Sequence, residues 1–189
     1  TDPEAARRRR HKTIRWVVTV FLSTVVISGI ISLVSDEVMD SSSLPVAFLI
    51  LLAIVMVGII FDIIGMAVAT ADEKPFHSMA ARKVPGSQEA IRLLRNAERV
   101  SSICNDVVGD ICGVVSGSAS ATIAALILTR VEVGWPRGVS LVMSALVAGL
   151  TVGGKAIGKT FAVNSCTQIV HMVGRVLYAL NGLHGKKKK

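Results

Sequence analysis

The chain has 189 residues, 51% of them hydrophobic, with a mean hydropathy of +0.60 and a formal net charge of +8. That composition is too apolar for an ordinary soluble domain, and the length is too short for a large multidomain enzyme, so one integral membrane domain is predicted. Basic residues fall in blocks beside the apolar runs and aromatic residues are only 4%, too few for base stacking. Nucleic acid is therefore not expected as a partner, and the charge reads as membrane orientation.

Residues 1–13 are polar and strongly basic, with arginine at 7–10. The chain starts with Thr, so this reads as a trimmed end that carries no functional expectation. Residues 14–34 make a first apolar span with Trp16 at headgroup depth. Asp36, Glu37 and Asp40 with the serines at 41–43 predict an acidic loop, and Ser43 is placed to cap the next helix. Residues 44–71 make a second span, opening with Pro45 and interrupted by Asp62. A carboxylate there costs about 2.5 to 3.5 kcal/mol at mid-helix unless something compensates it.

Residues 76–100 are basic and broken by Pro85-Gly86, which predicts a hairpin of two short amphipathic helices on the cytoplasmic surface. Phe76, Met79, Ala80 and Val84 form the apolar side of one; Ala90, Ile91, Leu94 and Ala97 form that of the other. Residues 101–129 read as one helix, a third span, whose first part carries Asn105, Asp106 and Asp110. Gly109, Gly113 and Gly117 recur every fourth residue on it, and Gly149 and Gly153 repeat that spacing on a fourth span at 138–157. This is the small-residue pattern that admits a close helix neighbour in lipid. Lys155 lies near the inner end of that fourth span. Residues 161–180 place Cys166, Ile169, Val170, Val173, Leu177 and Leu180 on one stripe, predicting a surface amphipathic helix before a basic tail at 186–189.

Four spans with both termini in the cytoplasm satisfy the positive-inside rule at every loop. Cys104, Cys112 and Cys166 are expected as packing thiols, since no ligand spacing for zinc or iron-sulfur is present. His77 and His171 sit on amphipathic segments and are expected to be solvated. The run 153–160, G-G-K-A-I-G-K-T, matches a phosphate-loop pattern literally but follows an apolar span rather than a soluble strand, and no enzymatic constellation is found.

Three stretches resemble the transmembrane domain of the CorB/CorC/CNNM magnesium transporter family. F-D-I-I-G-M-A-V-A-T-A-D-E-K-P-F-H-S-M-A at 61–80 is similar to its F-S-G-x-E-T-A-L opening, and I-C-N-D-V-V at 103–108 to its I-G-N-x-L-V segment. T-V-G-G-K-A-I-G-K-T-F-A at 151–162 aligns without gaps on a signature of the type L-V-F-G-E-I-L-P-K-T-L-A. The resemblance covers residues 44–181. It leaves 1–43 as a basic N-terminus with an extra span and 182–189 as a basic tail.

What the resemblance implies is an all-α, polytopic membrane helix bundle with a cytoplasmic amphipathic hairpin and a C-terminal amphipathic helix. It further implies a homodimer in the plasma membrane, with an inward-opening cavity for Mg2+ or another cation. In that family the ion is held by a Ser, an Asn and a Glu. Here Asn105 matches, Asp62 replaces the Ser, Gly158 replaces a Pro, and Lys155 stands where the Glu should be. Asp62 and Asn105 are the candidate metal ligands, and Asp62, Asn105, Asp106, Asp110 and Lys155 are expected to line the cavity. An ammonium cannot ligate a cation, so Lys155 is expected to pair with Asp62 and take the ion's place. Two functions are compatible with this: ion transport through the cavity, or a non-transporting scaffold or regulatory subunit in which Lys155 and Asp62 form a structural salt bridge.

Overall fold

The computed structural model describes the backbone of residues 3–40, 42–130 and 134–185, with side chains except at 3–12, 36, 39–40 and 182–185. The expected basic tail at 186–189 lies outside the described residues. The fold is all-helical, with no strand among the described residues. In chain order the helices are α1 (Pro3–Asp40), α2 (Leu44–Thr70), α3 (Lys74–Ala81), α4 (Ser87–Arg95) and α5 (Ala97–Ser102). A π-helical turn (Ile103–Gly109) comes next, then α6 (Asp110–Arg130), α7 (Pro136–Asn164) and α8 (Cys166–Gly185). Among the described residues, four stretches are long and apolar enough to cross a membrane: Thr13–Ser35, Leu44–Thr70, Ala97–Arg130 and Pro136–Asn164.

Several boundaries differ from the sequence reading, among them the start of the third span, which is Ala97 rather than 101. The acidic residues expected in a loop finish α1, which runs unbroken to Asp40, and Ser43 occupies the N-cap position of α2 without its hydroxyl capping anything. The fourth span continues seven residues past its expected end, to Asn164. A break at Ser165 then separates it from α8, so 161–164 belong to the span and not to the amphipathic helix. The stretch 153–160 is helical throughout and forms no phosphate loop. The third span is continuous from Ala97 to Arg130 but is not uniformly α-helical, because its ladder widens into the π turn at 103–109.

α2 is the central helix, packed against α6, α7, the π turn and α8. Two apolar cores lie along it. One joins Ala47, Leu51 and Val55 of α2 to Ala119 and Ile123 of α6 and Val147 of α7. The other joins Ala67 and Val68 of α2 to Phe76 of α3, Ala90, Ile91 and Leu94 of α4, Ala162 of α7 and Val170 of α8. The α3–α4 hairpin is thus anchored through the apolar residues that its 3.6-residue periodicity singles out.

α3 closes in a Schellman motif, with Lys83 N–H donating to Ala80 O at 2.9 Å and Val84 N–H to Met79 O at 3.0 Å. Lys83 holds the left-handed φ of 56° that this motif demands, and Gly86 has φ 83°. Gly86 has a second constraint: its missing Cβ would strike the backbone of Gly174 and Arg175 on α8. Two glycines, one on each side, let the hairpin and α8 touch backbone to backbone.

α1 differs from the other long helices. No residue in its most apolar window is buried, and Ile14, Val17, Phe21, Leu22, Val25, Val26, Ile30 and Leu33 are all exposed. An apolar surface of that extent on a single helix is what a lipid-facing segment presents.

Candidate functional site

Between the two apolar cores, one turn of α2 carries Asp62. Val55 above it belongs to the first core and Ala67 below it to the second. On the α2 helix, Gly58, Asp62 and Gly65 have an i, i+4, i+7 progression and so share one face. That face meets the third span. A Cβ on Gly58 would lie 2.8 Å from Cys112 Cβ, and one on Gly65 would collide with Asn105 Oδ1. Gly109 reciprocates from the other side, for a Cβ there would strike Asp62 Oδ1. Glycine on both helices brings the Asp62 carboxylate directly against the end of the π turn.

α7 closes the third side. Gly154 and Gly158 pack against Ile59 and Ile63 of α2, which seats Lys155 at the seam of α2, α6 and α7. Its Nζ lies 3.2 Å from Asp62 Oδ2 and donates to Gly109 O at 3.1 Å. The Asp62 side chain is 4% exposed and that of Lys155 19%. The expected pair is therefore present, with two of the three ammonium protons directed at protein oxygens. Gly109 is also where the π turn gives way to α6, and its carbonyl serves the lysine. Short π segments recur at functional positions because they re-aim backbone groups out of the regular ladder.

Asn105 lies in the same seam, its Oδ1 buried against Gly65 without a hydrogen-bond partner and its Nδ2 donating to Ser101 Oγ at 3.3 Å. Asp106 and Asp110 are not brought into the seam. Both are exposed, and Asp106 accepts a hydrogen bond from Ser102 Oγ at 2.7 Å. Among the described residues no group of three or more His, Cys, Asp or Glu could hold a metal ion. As possible ligands for a cation, the seam offers the Asp62 carboxylate, the Gly109 carbonyl and the Asn105 amide oxygen. Lys155 holds the first two.

Of the small residues expected to pack helices, only Gly109 does so within the chain. Gly113, Gly117, Gly149 and Gly153 have nothing within 4 Å of where a Cβ would be. The frame decides this on α7, since a one-residue offset turns a helix by about 100° and puts Gly153 and Gly154 on different sides. Gly58, Gly65, Gly154 and Gly158 make the contacts instead. Gly154 and Gly158 repeat the expected spacing one residue later, and the pair Gly58 and Gly65 brackets an intramembrane-type Asp; both signals are present in the sequence.

Next to the pair, a groove of about 360 Å³ between α6 and α7 is lined by Ser116, Ser120, Ser144 and Thr151 and reaches Lys155. Three of those hydroxyls donate to their own helix: Ser116 to Gly113 O, Ser120 to Gly117 O and Thr151 to Val147 O. The three cysteines are free thiols. His77 is exposed, with Nε2 3.2 Å from Glu73 Oε2, whereas His171 departs from the solvated expectation, its Nε2 being buried without a partner.

Comparison with protein-family models, with curated proteins and with solved structures finds no match for this chain.

Proposed function

We propose that this chain is an integral membrane protein of the CorB/CNNM type that handles an inorganic cation, with Lys155 as a tethered counter-ion in the cation's seat. The observation that supports this reading is the ion pair itself. A carboxylate nearly sealed from solvent, at the junction of three helices able to cross a membrane, holds an ammonium at 3.2 Å, shared with a backbone carbonyl at 3.1 Å. Ionisable groups at such depth are expensive and mark ion pathways more often than they serve packing. A cation enters this seat only as Lys155 swings out of it.

The cargo is Mg2+ or another cation. Mg2+ takes six hard oxygens at about 2.0 to 2.1 Å and parts reluctantly with water. Three protein oxygens would leave it partly hydrated. Both termini lie in the cytoplasm of a plasma-membrane orientation, on the positive-inside rule. A second copy packs against the α6 face carrying Gly113 and Gly117, where a close neighbour in lipid meets no obstruction.

The test is cation flux into proteoliposomes. Lys155→Gln is expected to raise flux above that of the parent, and Asp62→Asn to bring either background to the level of empty vesicles. Flux in the parent that survives Asp62→Asn would overturn the reading. A second reading, a non-transporting scaffold with a structural salt bridge, is favoured by the absence of a three-ligand acidic or histidine cluster among the described residues. It requires parent and Lys155→Gln alike to be silent.

A further inference from the structure

A second polar pocket, of about 440 Å³, lies apart from the Lys155 seam, where the apolar stretch of α1 begins beside α5. It is lined by Thr13, Trp16, Asn96, Glu98, Arg99 and Ser102. The Arg99 guanidinium stands over the Trp16 ring, 5.8 Å from its centroid, within cation–π range, so the cation is held in place by a rigid aromatic wall. Ser102 donates its hydroxyl to Asp106, and Asn96 donates through Nδ2 to Arg92 O at 3.0 Å. The charged recognition groups of the pocket are thus Arg99 and Glu98, one of each sign.

The depth of the pocket is informative. Trp16 is three residues into the apolar stretch Thr13–Ser35, and Arg99 two residues into Ala97–Arg130. Both spans begin here, so the pocket sits where the chain changes from polar to apolar. One turn further in, Val20 of α1 packs on the buried Val107, Ile111 and Val115 of the third span, while Ile103, one turn past Arg99, stays exposed. A polar cup that presents one cation and one carboxylate at the depth where two spans begin matches an amphiphile whose head carries both charges.

We infer that this pocket binds the zwitterionic headgroup of a phosphoethanolamine lipid, with Arg99 on the phosphate and Glu98 on the ammonium. Arginine gives the phosphate a forked, charge-assisted pair of donors, and a primary ammonium offers Glu98 hydrogen bonds that a quaternary choline cannot. Basic pockets between spans commonly take lipid heads; the carboxylate in this one selects against a purely anionic head. The inference rests on the bilayer placement proposed above but not on ion handling, and its readout is independent of flux.

The chain has two tryptophans, so Trp135→Phe leaves Trp16, inside the pocket, as the one tryptophan reporter. Detergent-solubilised Trp135→Phe protein is titrated with short-chain phosphatidylethanolamine, phosphatidylcholine, phosphatidylglycerol and inorganic phosphate while Trp16 fluorescence is monitored. A saturable change is expected with the ethanolamine lipid at the lowest concentration. Arg99→Gln should weaken it at least tenfold, Arg99→Lys much less, and Glu98→Gln should erase the preference for ethanolamine over choline. Arg130→Gln, at the far end of the same span, should change nothing. Equal response to all three lipids, or a response unaltered by Glu98→Gln, overturns the headgroup assignment. Saturation by inorganic phosphate as readily as by lipid shows a free-phosphate site and overturns the lipid assignment, and the parent's headgroup ranking decides the matter even if Arg99→Gln fails to fold.

Discussion

Asp62 and Lys155 are each costly where they sit and tolerable only together. Removing one partner of a buried pair strands the other charge and typically costs about 3 to 5 kcal/mol. Asp62→Asn and Lys155→Met are each expected to lower unfolding stability in detergent by roughly 3 kcal/mol, discounted for the exposed fifth of the lysine, while the double variant loses less than the sum. Additive losses in that double-mutant cycle would show that the pair is not coupled. Gly109→Ala should act like a break of the same pair, because its methyl group would occupy the position of Asp62 Oδ1. At this scale the sequence was informative: for an aspartate and a lysine in two apolar spans a mutual pair is the simplest compensation, the alternatives being a lysine that snorkels to water and an aspartate held by a backbone or serine group. What it could not show was Gly109 O as the lysine's second acceptor, since a π turn arises from how neighbours pack and carries no composition of its own.

The elements divide into those whose pattern is local and those set by neighbours. Helix existence, the hairpin and its apolar face were legible because 3.6-residue periodicity and Pro85-Gly86 are written in the chain. The packing face of the glycines was not, for a one-residue change of frame turns a helix by about 100°, and only the partner helix decides between Gly153 and Gly154. The distinction has an energetic signature. Gly154→Ala and Gly58→Ala, where the added methyl meets Ile59 and Cys112, are expected to destabilise. Gly149→Ala and Gly153→Ala meet open space and should gain up to about 1 kcal/mol of helix propensity, as read by thermal unfolding in detergent. At the end of α3, Lys83 carries a left-handed backbone that costs an L-residue roughly 1 kcal/mol. Lys83→Gly should recover about that amount without altering the Schellman hydrogen bonds; a loss of stability would mean that the lysine side chain contributes more than its backbone strain costs.

For the whole molecule, the decisive feature is that one central helix, α2, passes through an apolar core, a single ionic layer and a second apolar core. The row at Gly113 and Gly117 is open on its outer side, and a second copy is proposed to pack against it. Gly117→Leu is expected to shift the solubilised protein from dimer to monomer by light scattering while the monomer stays folded, and a parent already monomeric would contradict that assembly. The most direct test of the central proposal remains cation flux into proteoliposomes across four proteins: parent, Lys155→Gln, Asp62→Asn and the double variant. The expected result is flux that rises when the tethered ammonium is removed and vanishes in both proteins lacking the Asp62 charge; silence in both the parent and Lys155→Gln, or flux indifferent to Asp62, would contradict it.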